Sequence, residues 1–211
     1  MLRSALVFGF VIGMRHALEA DHIAAVAVLA TRARSGWERV KLASAWGLGH
    51  SGILLVIGAL MVLGGIAIPD ALSHWADAAA GAIVFVLGAD VLRRLWLRRE
   101  QLHTHPHAHG DPHPARLLSR AWLVGTLHGL GGSAAIVLLT IDSARSPAHA
   151  LGMLASFGVG TVAGMIALSF AISLPLGAST RRPTLRALEL AVGLASAAVG
   201  ARMVLRSLLA P

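Results

Sequence analysis

Six stretches of the chain, 4–30, 42–64, 71–96, 119–141, 148–176 and 184–209, are long and apolar enough to call for hydrocarbon as their solvent. About 20 mainly apolar residues cross a bilayer as a helix. Backbone N–H and C=O groups in lipid must bond within the segment, so helices are the expected form. The residue mix agrees, with 56% of 211 residues hydrophobic, 13% charged and a mean hydropathy of +0.72. That balance excludes a disordered chain and fits a water-soluble globule poorly. The net charge of +8 does not point to nucleic acid, because the arginines gather in short stretches between the apolar runs, as they do in membrane-protein loops. No cysteine is present, which removes disulfides, thiolate metal sites and Cys nucleophiles together. Arg3 followed by an apolar run resembles a secretory signal, but cleavage near Ala20 would cut through a knot of charge. The segment is therefore expected to be retained.

The two halves of the chain echo each other. Gly13-Met-Arg-His16-Ala-Leu18 matches Gly125-Thr-Leu-His128-Gly-Leu130, and "WGLGH" at 46–50 matches "FGVGT" at 157–161. Asp77, Gly81, Gly88, Ala89 and Arg94 match Glu189, Gly193, Gly200, Ala201 and Arg206. The offset is about 112 residues in each case, constant to within one. Three spans is an odd number, so a second set of three must cross the membrane the opposite way, as in transporters with inverted repeats. The expected fold is thus an all-α integral membrane protein of about six transmembrane helices in two inverted three-helix repeats. Residues 1–97 form the first repeat, 98–118 a His-rich cytoplasmic loop and 119–211 the second repeat. Arg32, Arg34, Arg39 and Lys41 follow the first span; Arg98, Arg99, Arg116 and Arg120 lie in the long connector; Arg181, Arg182 and Arg186 follow the fifth. The positive-inside rule then sets both termini outside and the long connector in the cytoplasm of a multi-pass cell inner (plasma) membrane protein.

Within the first span lies "RHALEADH", with Arg15, His16, Glu19, Asp21 and His22 among apolar neighbours. Ionisable groups at that depth cost about 2.5–3.5 kcal/mol each on insertion scales, and they mark functional sites by default. His16, Glu19 and His22 are three residues apart in turn, and Arg15 and Glu19 are four apart, so on a helix each pair is adjacent. Arg15 and Glu19 are expected chiefly to neutralise each other. Asp21 projects elsewhere from a regular helix; an unwinding near Gly13, or a bend, would bring it to His16 and His22. His50 in the second span and His128 in the fourth are expected at a similar depth. Three spans can thus converge on one level with imidazoles and a carboxylate, a donor set suited to nickel, cobalt, zinc or copper(II) and poor for magnesium or calcium. Gly13, Gly47, Gly49, Gly125, Gly131 and Gly132 are expected to permit close helix contact. Asp77 and Glu189 are expected to cap or anchor helix ends.

"RHALEADHIAAV" followed by "LGHS" at 48–51 resembles the nickel/cobalt transporter (NiCoT) family. Its hallmark is His, four residues and Asp-His in a transmembrane helix, then Leu-Gly-His-Ser/Thr in the next. The resemblance implies that His16, Asp21, His22 and His50 occupy the family's metal-recognition positions. Long members have eight spans, with this motif in the second, and acidic motifs in the second half. This chain has the motif in the first of about six spans and "GTLHGLGGSAA" at 125–135, which is similar to the shorter branch of UreH-like permeases. The function implied is a secondary transporter of nickel or cobalt, with the ion as substrate and no cofactor. The partners expected are a divalent transition-metal ion and the lipid bilayer, with no nucleic acid; a homo-oligomer is compatible with the sequence.

"HTHPHAHGDPHP" at 103–114 alternates His103, His105, His107, His109 and His113 with small residues or Pro. Such a tract cannot pack a core and favours loose metal capture, here at the cytoplasmic mouth. No phosphate-binding loop of the Walker type occurs, so the chain itself is not expected to hydrolyse ATP. Two alternatives remain. An intramembrane zinc-dependent hydrolase would use Glu19 as base and His16, His22 and His50 as ligands, although the helical His-Glu-x-x-His signature is missing. A metal sensor or store would depend on the 103–113 tract.

Overall fold

The computed structural model describes residues 2–33, 35–65, 69–100, 114–131, 144, 146–178 and 182–209. The histidine tract at 103–113 and the final part of the expected span 119–141 lie outside them. Seven helices make up the described chain: α1 (Leu2–His16), α2 (Ala20–Arg32), α3 (Gly36–Gly64), α4 (Asp70–Glu100), α5 (Pro114–Leu130), α6 (Pro147–Ala178) and α7 (Arg182–Leu209). Four of them contain segments long and apolar enough to cross a membrane: Gly36–Gly64, Ser73–Leu97, Pro147–Leu174 and Pro183–Leu209.

The helix ends follow local chemistry. Ser35 caps α3 by accepting from the Glu38 amide at 3.1 Å, and Ser-x-x-Glu is the sequence pattern of a capping box. At the other end Gly65 adopts φ 62° and donates its N–H to Met61 O, a left-handed cap that a side chain would strain. Pro114 and Pro147 stand first in α5 and α6, where the missing N–H costs nothing.

The expected first span, 4–30, departs from this pattern. It is two helices, broken at Ala17–Glu19 without glycine or proline. Leu18 and Glu19 donate to the carbonyls three residues back, Arg15 and His16, at 3.0 Å each, which tightens and ends α1. Glu19 is extended (φ −68°, ψ 152°), and α2 restarts with Ile23 N bonded to Glu19 O at 2.9 Å. The stretch "HALEAD" favours helix by propensity; tertiary packing overrides it.

The bundle is assembled through close backbone approach. α1 runs parallel to α6, and a Cβ added to Gly13 would land on the carbonyl oxygen of Phe157, while one on Gly160 would land on that of Phe10. α5 runs parallel to α3 in the same manner, with Gly125 against Trp46 O and Gly49 against Trp122 O. α4 and α7 lie antiparallel, Gly81 facing Gly200 and Gly88 facing Gly193. Hydroxyls add cross-links: Ser51 Oγ donates to Gly158 O at 3.2 Å, Ser196 Oγ to Ala24 O at 3.2 Å, and Ser156 Oγ to Leu6 O. Small residues and interhelical hydroxyl bonds are how helices associate where apolar burial supplies no net drive.

α2 sits at the centre, against α3, α4, α6 and α7, and is buried from Ala24 to Ala30. Its core partners are Leu42, Trp46, Ala121 and Met165. Large apolar side chains such as Val7, Phe8, Val56, Leu60, Phe85 and Val86 point outward, while His16, His22, His50 and His128 are buried. Polar inside and apolar outside is the arrangement that lipid selects.

Gly125→Ala should destabilise the protein by about 1–3 kcal/mol, the usual cost of overpacking. Gly52→Ala, with open space around its Cβ position, should be neutral or stabilising by up to about 1 kcal/mol. Thermal unfolding in detergent checks the pair.

Candidate metal centre

Three separate segments of the chain deliver the site. His16 is the last residue of α1, Asp21 and His22 lie in the first turn of α2, His50 is near the middle of α3, and His128 is in the last turn of α5. The break at Ala17–Glu19 makes this geometry. On an unbroken helix at about 100° per residue, His16 and His22 would point roughly 120° apart. Restarting the helix turns His22 back, so that its ring stands 4.3 Å from that of His16.

His16 Nε2 and His50 Nε2 are 3.3 Å apart. Two imidazole nitrogens bound to one ion at about 2.0–2.1 Å lie roughly 3.0–3.4 Å from each other, so this separation fits two donors to a single ion. Nitrogens of His16, His22 and His50 all fall within 4.8 Å of one another, as do ligand atoms of Asp21, His22 and His128. His22 belongs to both groups and joins them. Asp21 Oδ1 is 3.0 Å from His22 Nδ1 and Oδ2 is 3.0 Å from His128 Nε2. One carboxylate thereby fixes two rings from different spans, the second-sphere device that orients imidazole ligands.

All four imidazoles are at most 3% exposed. His22 Nε2, His50 Nδ1 and His128 Nδ1 have no hydrogen-bond partner among the described residues. A buried polar atom left unpaired costs about 1–3 kcal/mol. Neutral imidazole nitrogens are ligands for borderline transition-metal ions.

Aromatic groups close the site. The Trp46 ring, one turn before His50 on α3, stands 5.4 Å from His22, 5.3 Å from His128 and 6.0 Å from His50. Phe157 covers His16 at 5.3 Å. Trp46 carried a signal in the sequence, four residues before His50 in "WGLGHS", but nothing there distinguished a wall of the site from an ordinary core tryptophan. Glu19 lies against His16, its Oε2 3.2 Å from Nδ1, with its side chain 55% exposed. This contact with His16, rather than the expected ion pair with Arg15, is the one Glu19 makes among the described residues. Asp77 is eight residues into α4, within the helix rather than at its cap.

Among curated proteins, the urease accessory protein UreH of Bacillus sp. (strain TB-90) is 32% identical over 186 residues, covering 86% of this chain and 81% of that protein. No protein-family profile matches the chain, and no solved structure is similar.

Asp21→Ala orphans the facing nitrogens of His22 and His128. The ligand-free protein should lose about 1–3 kcal/mol for each ring, read as a fall in Tm, whereas Asp21→Asn, which keeps one acceptor, should lose less.

Proposed function

Because the chain belongs to the nickel/cobalt transporter family, in the branch of the urease accessory protein UreH, we propose that it is a secondary transporter of divalent nickel or cobalt. The ion is the substrate. It exchanges water for imidazoles and a carboxylate partway across the membrane. His16, His22 and His50 are the first donors, with Asp21 and His128 completing or steadying the set. The observation that carries this function is one cluster of four buried imidazoles, with the Asp21 carboxylate on two of them and His16 and His50 nitrogens 3.3 Å apart. No bond in a substrate has to be made or broken, and the zinc-hydrolase alternative has no comparable support.

Two inverted repeats around this centre supply the means of movement. The pairing of glycines supports them. Shifting by about 112 residues turns the Gly13–Phe157 contact into the Gly125–Trp46 contact, and Gly160–Phe10 into Gly49–Trp122, within one residue. Gly81–Gly200 becomes Gly193–Gly88. A contact set that maps onto itself under the repeat is what a two-fold axis between the halves produces. Six spans, both termini outside the inner membrane and the 103–113 histidine tract as a cytoplasmic capture site complete the proposal. Deleting 103–113 should then reduce transport without abolishing it.

Radioactive nickel and cobalt flux into proteoliposomes tests this function. His16→Ala should bring flux to background, and equal flux in the variant would overturn the assignment. Ligand imidazoles must be neutral and the carboxylate ionised, so protons compete with the ion. Affinity, and with it flux, should therefore fall as pH is lowered. Nickel or cobalt should also quench Trp46 fluorescence, and Trp46→Phe should remove that part of the quenching.

A further inference from the structure

A cavity of about 510 Å³ lies beside the centre, at the end of the bundle where α4 begins and α7 ends. Glu19, Asp21, His74, Asp77, Arg202 and Arg206 line it. Two of these already touch the imidazole cluster. Asp21 faces the cavity while bonding His22 and His128, and Glu19 faces it while lying against His16. Three of the four buried rings are thus reached from this cavity through a carboxylate.

The volume matches a hydrated ion. Six waters at about 30 Å³ each occupy roughly 180 Å³, so a divalent cation with its full first shell fits, with room for further water. The imidazole centre has no such space, since two of its nitrogens stand 3.3 Å apart. The opposite end of α2 is packed instead. Arg32 binds Asp90 at 2.7 Å, Arg94 binds the same carboxylate at 3.0 Å, and Leu29, Leu42 and Ala121 close the space around them. A cavity there, lined by Leu29, Arg32, Leu42 and Ala121, holds about 30 Å³.

Resting on the transport function above, we propose that this cavity is a vestibule in which the hydrated divalent cation is held before it loses water. Asp77 and His74 on α4 and Glu19 at the helix break bind it through its water shell. Asp21 is the shared wall, through which the ion passes to His22 and His128. Arg202 and Arg206, one turn apart on α7 and exposed, set the field in the opposite direction. They counterbalance the carboxylates while the ion is away, and their repulsion keeps the station weak enough to release its cargo inward. Charged clefts raise local ion concentration in this way, and the effect is screened by salt.

Initial nickel uptake by the full chain in proteoliposomes, at low and high ionic strength, tests the vestibule. Asp77→Asn should raise KM about tenfold at low salt, with a smaller change in saturating flux. Arg202→Gln combined with Arg206→Gln should lower KM. Both shifts should shrink at high salt. A merely structural role would give one sign for all variants and no salt dependence, and that result, or unchanged KM, overturns the proposal. If His16→Ala still transports, the centre itself fails; if His16→Ala is silent while the vestibule variants behave as wild type, only the vestibule fails. The chain has no cysteine, so Val199→Cys places a single thiol on the cavity wall. A cationic membrane-impermeant thiosulfonate should modify it faster than an anionic one, relative to free thiol, and Asp77→Asn should narrow the ratio. Equal rates for the two reagents would also overturn the vestibule.

Discussion

The carboxylate of Asp21 holds the centre of this molecule together. It binds His22 beside it and His128 from α5, one oxygen to each, deep among helices whose outer faces are apolar. Polar groups at such a depth are tolerated only when partnered. Much else is arranged to make that partnership geometrically available. The break at Ala17–Glu19 sets Asp21 in the first turn of a new helix. The approach of α5 to α3, at Gly125 and Gly49, brings His128 within reach of it. A methyl group at either glycine would push α5 from α3 and leave the His128 imidazole in an apolar interior without its acceptor.

The glycines have a second consequence. Where backbones touch, the interface is thin, rigid and specific, and nothing bulky has to repack if one helix group moves against another. α1 with α6 and α5 with α3 form two such parallel units, and α4 with α7 forms a third, antiparallel one. α2 lies among them, short and almost wholly buried, carrying the site at one end and Arg32 at the other. A carrier must expose a site alternately to two sides. Here the two ends of α2 already differ: one adjoins a cavity bordered by Glu19, Asp21, Asp77 and two arginines, and the other packs against Leu42 and Ala121 beside the Arg32–Asp90 pair. For the proposed transport, that asymmetry is what one of two alternating states requires.

The donor chemistry fits this task better than tight storage. Several imidazoles and one carboxylate favour borderline divalent ions, and the absence of thiolates avoids the most retentive ligands. Each nitrogen competes with a proton, so binding weakens as pH falls.

Much of this was legible in the sequence. Long apolar runs demanded helices in lipid, because a backbone there has no other partner. Ionisable side chains at His16, Asp21, His22, His50 and His128 marked the site, because their burial is costly wherever it occurs. The glycine echo between the halves was visible too, since it needs only spacing. What tertiary structure alone decided was where the first span breaks. "HALEAD" carries no breaker and favours helix locally, so its interruption is set by packing against α3, α5 and α6. The same holds for Trp46 as a wall of the site, for Glu19 on His16 rather than Arg15, and for the cavity behind Asp21. Each depends on which residues from distant segments meet, and one-dimensional spacing does not encode that distance.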